Sequence, residues 1–169
     1  DKVYLNNDKK NKFIENNHLG GDDHYSSSKA STEIICNSYY KTNFKKKKIG
    51  LITLRSGNII GGGDWTQDRI IPDLIRYNFE KKSIKIRSPN SIRPWQHILD
   101  VVNNMIVIAE KLYNKPQLSN PYNIAPKTQG VSVKKIISLS GLRIPEKKIL
   151  NKNFKEKKYI FLSTKKTYK

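Results

Sequence analysis

IGLITLRSGNIIGGGDW, residues 49–65, decides the fold. The part from 49 to 60 is an apolar run that predicts a buried strand. It stops at three glycines, 61–63, which let a chain turn sharply and come close to a ligand. These glycines are not a P-loop, because no Gly-Lys-Ser/Thr follows, and Thr66 stands where a dinucleotide fingerprint needs its third glycine. Before the run, a helix is predicted from Ser26 to about Phe44, capped by Asp22, Asp23 or a serine, with Ala30, Ile34 and Ile35 on its inner face. Residues 1–24 are polar, end in GGDDH and predict a loop.

After the glycines a helix is predicted around Ile70 to Glu80, and SIKIR, 83–87, alternates like a short strand. Ile98, Val101, Val102, Met105, Ile108 and Leu112 recur at helical spacing, with Asp100 in the first turn and His97 and Asp100 orienting the helix start. PYNIAP, 121–126, predicts a strand, and Ser132 caps a last helix to about Ser140. The tail is Lys-rich with one apolar patch, YIFLS, 159–163. Helices alternating with strands and no internal repeat indicate an α/β fold.

The chain has 169 residues, enough for one domain with its own core. A net charge of +19 invites a nucleic-acid reading, but of the 33 basic residues only six are Arg, and Asn and Ile are abundant too. Lys, Asn, Ile and Tyr share AT-rich codons, so a biased genome explains the charge without a polyanion partner. The run KKKK, 45–48, has no interleaved aromatics, and no specific nucleic-acid partner is expected. The positive field favours an anionic small ligand such as a nucleotide. Cys36 is the only cysteine, which excludes an internal disulfide and fits a reducing cytoplasm. No apolar run is long enough to cross a bilayer, so no membrane partner is expected.

Tyr25 and Lys29, in HYSSSKASTE, are one helical turn apart and share a face. A phenol is a poor base at neutral pH, and an ammonium held beside it favours the phenolate. Such a tyrosine can take a hydroxyl proton while hydride leaves the same carbon. By spacing alone, an exposed Tyr and Lys on a helix surface is the commoner outcome.

Context adds to this. DK at 1–2, LGGDDHYSSSKASTE, RSGNIIGGGDW, DRIIPDLIR and IRSPNSIRPWQHILD together resemble the extended short-chain dehydrogenase/reductase family, in its sugar-nucleotide dehydratase branch. The resemblance runs from residue 1 to about 140 and more faintly through EKKYIFLSTKK. It implies a partial Rossmann-type fold. Residues 1–62 would be the C-terminal part of an NAD-binding domain, and 63–169 mainly substrate-binding, with segments around 92–126 returning to the first domain.

The resemblance also implies roles. Tyr25 would take the sugar 4-hydroxyl proton, with Lys29 favouring the phenolate and holding the nicotinamide ribose. Asp1 and Lys2 would be the acid/base pair that eliminates water across C5 and C6; lysine at the second position is similar to the branch acting on CDP-sugars. Ser56 and Gly57 would line the nicotinamide pocket. Asn58 and Arg93 would meet the diphosphate, Arg69 more weakly, and Arg87 would stack on the nucleotide base. The implied cofactor is NAD, the implied substrate a nucleotide-sugar with CDP-glucose favoured, and the full-length enzyme a homodimer.

Two elements of the family are missing from the sequence: a G-x-x-G-x-x-G turn and the catalytic threonine before Asp1. The expectation is therefore that residues 1–169 are part of a longer enzyme, inactive alone and with an unpaired sheet edge. Competing expectations are an epimerase or decarboxylase on the same scaffold and an inactive fragment that binds nucleotide-sugars.

Overall fold

The computed structural model describes residues 2–80, 84, 86–128, 130–141 and 156–168. In chain order these form β1 (Lys12–Phe13), α1 (His24–Tyr39), β2 (Thr53–Ser56), β3 (Ile59–Ile60), α2 (Ile70–Glu80), β4 (Ile92–Arg93), β5 (Gln96–His97), α3 (Ile98–Asn114), β6 (Pro121–Ile124), β7 (Val131–Ser132), α4 (Val133–Leu139) and β8 (Phe161–Leu162). A π-type turn, Tyr40–Phe44, ends α1, and a 3₁₀ turn, Pro116–Leu118, follows α3.

β2 and β6 pair in parallel, Thr53 opposite Pro121 and Ser56 opposite Ile124. Parallel neighbours need a crossover, and α3 with its 3₁₀ turn supplies the return leg before β6. β3 pairs in parallel with β5, β1 in parallel with β8, and β4 antiparallel with β7. The α/β expectation with parallel pairing is met. The expected strand over 49–60 is realised as two short pieces, β2 and β3, and only Arg55 of β2 is fully buried. Among the described residues β2 has one strand neighbour, so it carries less apolar cover than a central parallel strand.

The helices start where their caps stand. Asp23 caps α1, its Oδ1 accepting from the Ser26 N–H at 2.9 Å and its Oδ2 from the Ser26 hydroxyl at 2.7 Å. His97 caps α3, its Nδ1 accepting from Leu99 N–H at 3.2 Å. Ser132 caps α4 as expected, accepting from Lys135 N–H at 3.2 Å. SIKIR forms no strand at its described positions, Ile84, Ile86 and Arg87; Ser83 and Lys85 lie outside the described residues.

Two expected faces are corrected. The inward stripe of α1 is Ser26, Ala30 and Glu33, while Ile34 and Ile35 are 60% and 55% exposed. The cause is electrostatic. Glu33 Oε2 accepts from Arg55 Nη2 at 2.8 Å and from the Thr53 hydroxyl at 2.7 Å, and this turns the helix so that a carboxylate faces β2. On α3, Val101 is buried and Ile98, Ile108 and Leu112 half-buried, whereas Val102 and Met105 are exposed.

The first 24 residues are not a loop apart from the core. Val3 and Tyr4 are buried with Ala125 and Leu162, and Phe13 and Leu19 pack against them. The Tyr4 and Phe13 rings stack with centroids 4.9 Å apart. A polar network runs through this cluster. Arg55 Nη1 donates to Tyr4 Oη at 3.0 Å and to the Glu15 carbonyl at 2.9 Å. Tyr4 donates to Asn123 Oδ1 at 2.6 Å. Asn123 Nδ2 donates to the carbonyls of Phe13 and Ser163, and its backbone N–H to Glu15 Oε1. Among the described residues Arg55 Nε alone is a buried side-chain N–H without a partner.

Glu33→Ala would leave the Arg55 charge buried and uncompensated. The expected cost is about 3 kcal/mol, seen as a lower urea midpoint with an unchanged slope. Burial also raises the Tyr4 phenol above its usual value near 10. The unfolded phenol then ionises first, so this stability is complete below about pH 10 and declines as pH rises towards the folded value. Tyr4→Phe should flatten that alkaline decline in a pH series of melting temperatures.

Candidate functional site

The site assembles where β2, β3, β5 and β6 end. Gln96 of β5 joins them: its backbone N–H donates to the Asn58 carbonyl at 3.0 Å, and its Nε2 donates to the Ile124 carbonyl at 3.1 Å and to the Ser56 hydroxyl. Gly57 lies so close to Pro94 that a Cβ there would be 2.3 Å from Pro94 Cγ. A side chain at 57 is therefore excluded by Pro94.

A cleft of about 470 Å³ opens beside this junction. Asn58, Arg69, Arg87 and Arg93, four residues expected to meet substrate, all line it, with Trp95 and Glu156. Their surroundings differ. Arg93 is buried at 6% exposure; its Nη2 donates to Glu156 Oε2 at 3.2 Å and its Nη1 to the Ile92 carbonyl at 2.9 Å. Burial pulls its pKa down, opposed by the carboxylates of Glu156 and Asp8. An arginine so placed stays protonated and prefers an anion beside it. Arg87 forms an exposed ion pair with Asp68, and Arg69 makes no ion pair among the described residues. Trp95 Nε1 donates to the Val131 carbonyl at 3.1 Å, which fixes the indole on the cleft wall.

A second groove, about 170 Å³, adjoins through Glu156 and is lined by Lys2, Tyr4, Asp22, Asp23 and Lys157 among others. Lys2 stands near the Asp23 carboxylate, which is held below the usual carboxylate range, chiefly by the Ser26 N–H. Asp1 lies outside the described residues. Tyr25 and Lys29 are side by side on the first turns of α1, the Lys29 Nζ 5.5 Å from the centre of the Tyr25 ring. Tyr25 is 58% exposed and neither residue lines the cleft or the groove. The chain thus brings Asn58 and the three arginines together, holds Lys2 in the next groove, and keeps the Tyr25–Lys29 pair on an open face.

Residues 1–125 match the family model described as NAD dependent epimerase/dehydratase family. The chain belongs to this family. It is 39% identical over 152 residues to a CDP-glucose 4,6-dehydratase of Salmonella typhimurium, covering 83% of this chain and 42% of that protein. A UDP-glucuronic acid 4-epimerase from Bacillus cereus, solved with UDP-glucuronic acid and NAD, superposes with a TM-score of 0.82 at 25% identity, over 99% of this chain and 51% of the epimerase. A dTDP-glucose 4,6-dehydratase from Bacillus anthracis, solved with NAD, gives 0.74 at 24% identity, with 99% and 51% coverage, and speaks for the fold alone. The chain spans about half the length of the relatives it matches. The epimerase/dehydratase family accounts for the mixed α/β architecture with parallel pairing, which is Rossmann-type.

Sequence reasoning gave no role to Gln96, Glu156 or Asp68. Gln96 had a signal, a glutamine amid IRPWQH with a helix start beside it. Glu156 opens EKKYIFLSTKK, where the resemblance is faint, and lies 63 residues from Arg93.

Gly130 backs the site. A Cβ there would sit 2.1 Å from the Arg93 carbonyl. Gly130→Ala must push β7 from β4, at an expected cost of about 1–3 kcal/mol, visible as a lower melting temperature.

Proposed function

We propose that this chain is part of an NAD-dependent dehydratase that converts CDP-glucose to a 4-keto-6-deoxy sugar nucleotide. The observation that carries the reading is the convergence of Asn58, Arg69, Arg87 and Arg93 on one cleft, since a guanidinium can grip a diphosphate with paired hydrogen bonds. The 39% identity to a CDP-glucose 4,6-dehydratase supports the choice of sugar nucleotide. In this reading residues 1–62 belong to the cofactor-binding domain, and 63–169 mainly to the substrate-binding part, with segments around 92–126 returning to the first.

The groups present suit NAD: the Ser56 hydroxyl and the side-chain-free Gly57 at the C-terminal end of a parallel strand, and a phenol with an ammonium at 25 and 29. When bound, NAD supplies reversible hydride transfer at the sugar. Tyr25 takes the 4-hydroxyl proton as C4 is oxidised, and Lys29 stabilises the phenolate and holds the ribose. The new 4-keto group acidifies the proton on C5. Of the pair Asp1 and Lys2, one removes that proton and the other protonates the departing 6-hydroxyl, so water leaves across C5 and C6. With the hydride that NAD would return at C6, these residue roles account for the whole conversion. Arg93 and Arg69, with Asn58, hold the diphosphate, and Arg87 lies against the base.

A second reading is a 4-epimerase, favoured by the TM-score of 0.82 to the Bacillus cereus enzyme. Product mass separates the two, because dehydration loses one water and epimerisation loses nothing. Lys2 in the groove favours dehydration, since epimerisation at C4 needs no base at C5.

The test is turnover of CDP-glucose by the protein joined to the family's glycine-rich NAD-binding unit, read by the absorbance of the 4-keto product in alkali and compared with dTDP- and GDP-glucose. Tyr25→Phe should lower kcat by about 10²–10⁴-fold while CDP binding is kept. Wild-type turnover in Tyr25→Phe would remove the tyrosine from the mechanism.

A further inference from the structure

We propose that Glu156 is a displaceable carboxylate. It occupies the anion position of Arg93, a nucleoside diphosphate displaces it on binding, and it thereby sets the affinity of the cleft. The inference rests on the reading of the cleft as the diphosphate site.

The two partners differ in freedom. Arg93 is fixed. It is 6% exposed, its strand pairs with β7, and Gly130 leaves no room behind its carbonyl. The Glu156 side chain is 32% exposed and lies where the cleft meets the Lys2 groove. The backbone after it is anchored, with the Ile92 N–H donating to the Lys158 carbonyl at 2.8 Å and the Lys158 N–H to Asp8 Oδ1 at 2.5 Å. Only the glutamate side chain needs to swing for the guanidinium to be released.

The bond between them is the kind that yields. It is a single contact of 3.2 Å, longer than a strong charge-assisted hydrogen bond and without the second parallel bond of a fork. A diphosphate offers more charge and more acceptor oxygens. Arg69 makes no ion pair among the described residues, and Arg87 shares an exposed one with Asp68 that solvent weakens. Of the cleft's arginines, the one whose charge acts in the driest surroundings is Arg93, and a carboxylate already holds it. Asp8, the other acid near Arg93, carries its charge into turn hydrogen bonds with the N–H groups of Lys158 and Tyr159.

The test is calorimetric titration of CDP into the protein as wild type, Glu156→Gln and Arg93→Gln. Glu156→Gln should bind CDP about tenfold more tightly, because binding no longer breaks an ion pair. Its melting temperature without ligand should fall, and CDP should raise it by more than in wild type. If Glu156→Gln folds poorly, Glu156→Asp pulls the carboxylate back by one methylene and should gain affinity in the same direction, by less. CDP binding that needs Arg93 but is no tighter in either Glu156 variant overturns the displacement alone. No CDP binding by wild type, or full binding by Arg93→Gln, overturns the diphosphate reading of the cleft and this inference with it.

Discussion

A guanidinium in the interior organises this protein. Arg55 enters the core from β2 and meets Glu33 of α1, Tyr4 of the first segment and the carbonyl of Glu15. A buried ion pair is not by itself a source of stability, because desolvating two charges offsets their attraction. Its contribution is direction. With Glu33 drawn towards β2, α1 has one rotation about its axis, and that rotation sets where Tyr25 and Lys29 project. Two isoleucines are left in solvent by the same turn.

The cleft lined by Arg69, Arg87 and Arg93 follows a comparable logic one layer out. Its arginines come from the segment after the glycines, from the approach to β4 and from β4 itself, and their counter-charges come from Asp68 and Glu156. Each guanidinium that is partly or wholly dry has a carboxylate at hand. Gln96 keeps this cleft in register with the strand ends, since its amide and backbone reach β2, β6 and Asn58 together.

Much of the fold was legible because it rests on local chemistry. The range of α2, the capping of α4 by Ser132 and the strand in PYNIAP follow from periodicity and caps that a dozen residues contain. The inner face of α1 was not legible, because it depends on Arg55, 22 residues from Glu33 in sequence. The role of residues 1–24 was hidden for a similar reason: Tyr4 and Phe13 look like isolated aromatics in a polar stretch until β8 and Ala125 close over them. At the cleft, Asn58 and the three arginines stand in the strong motifs, while Glu156 opens the fainter stretch EKKYIFLSTKK, and its pairing with Arg93 requires the tail to return to β4.

Asn123 shows what that return does to the molecule as a whole. Its one amide group bonds the carbonyl of Phe13 near the beginning of the chain and that of Ser163 near its end, at 0% exposure and from the middle of β6. Neither the segment of Phe13 nor that of Ser163 can leave β6 without stranding a buried amide. One buried side chain thus couples three stretches of backbone that are far apart in sequence, so that loosening any one of them exposes a polar group the other two leave unsatisfied.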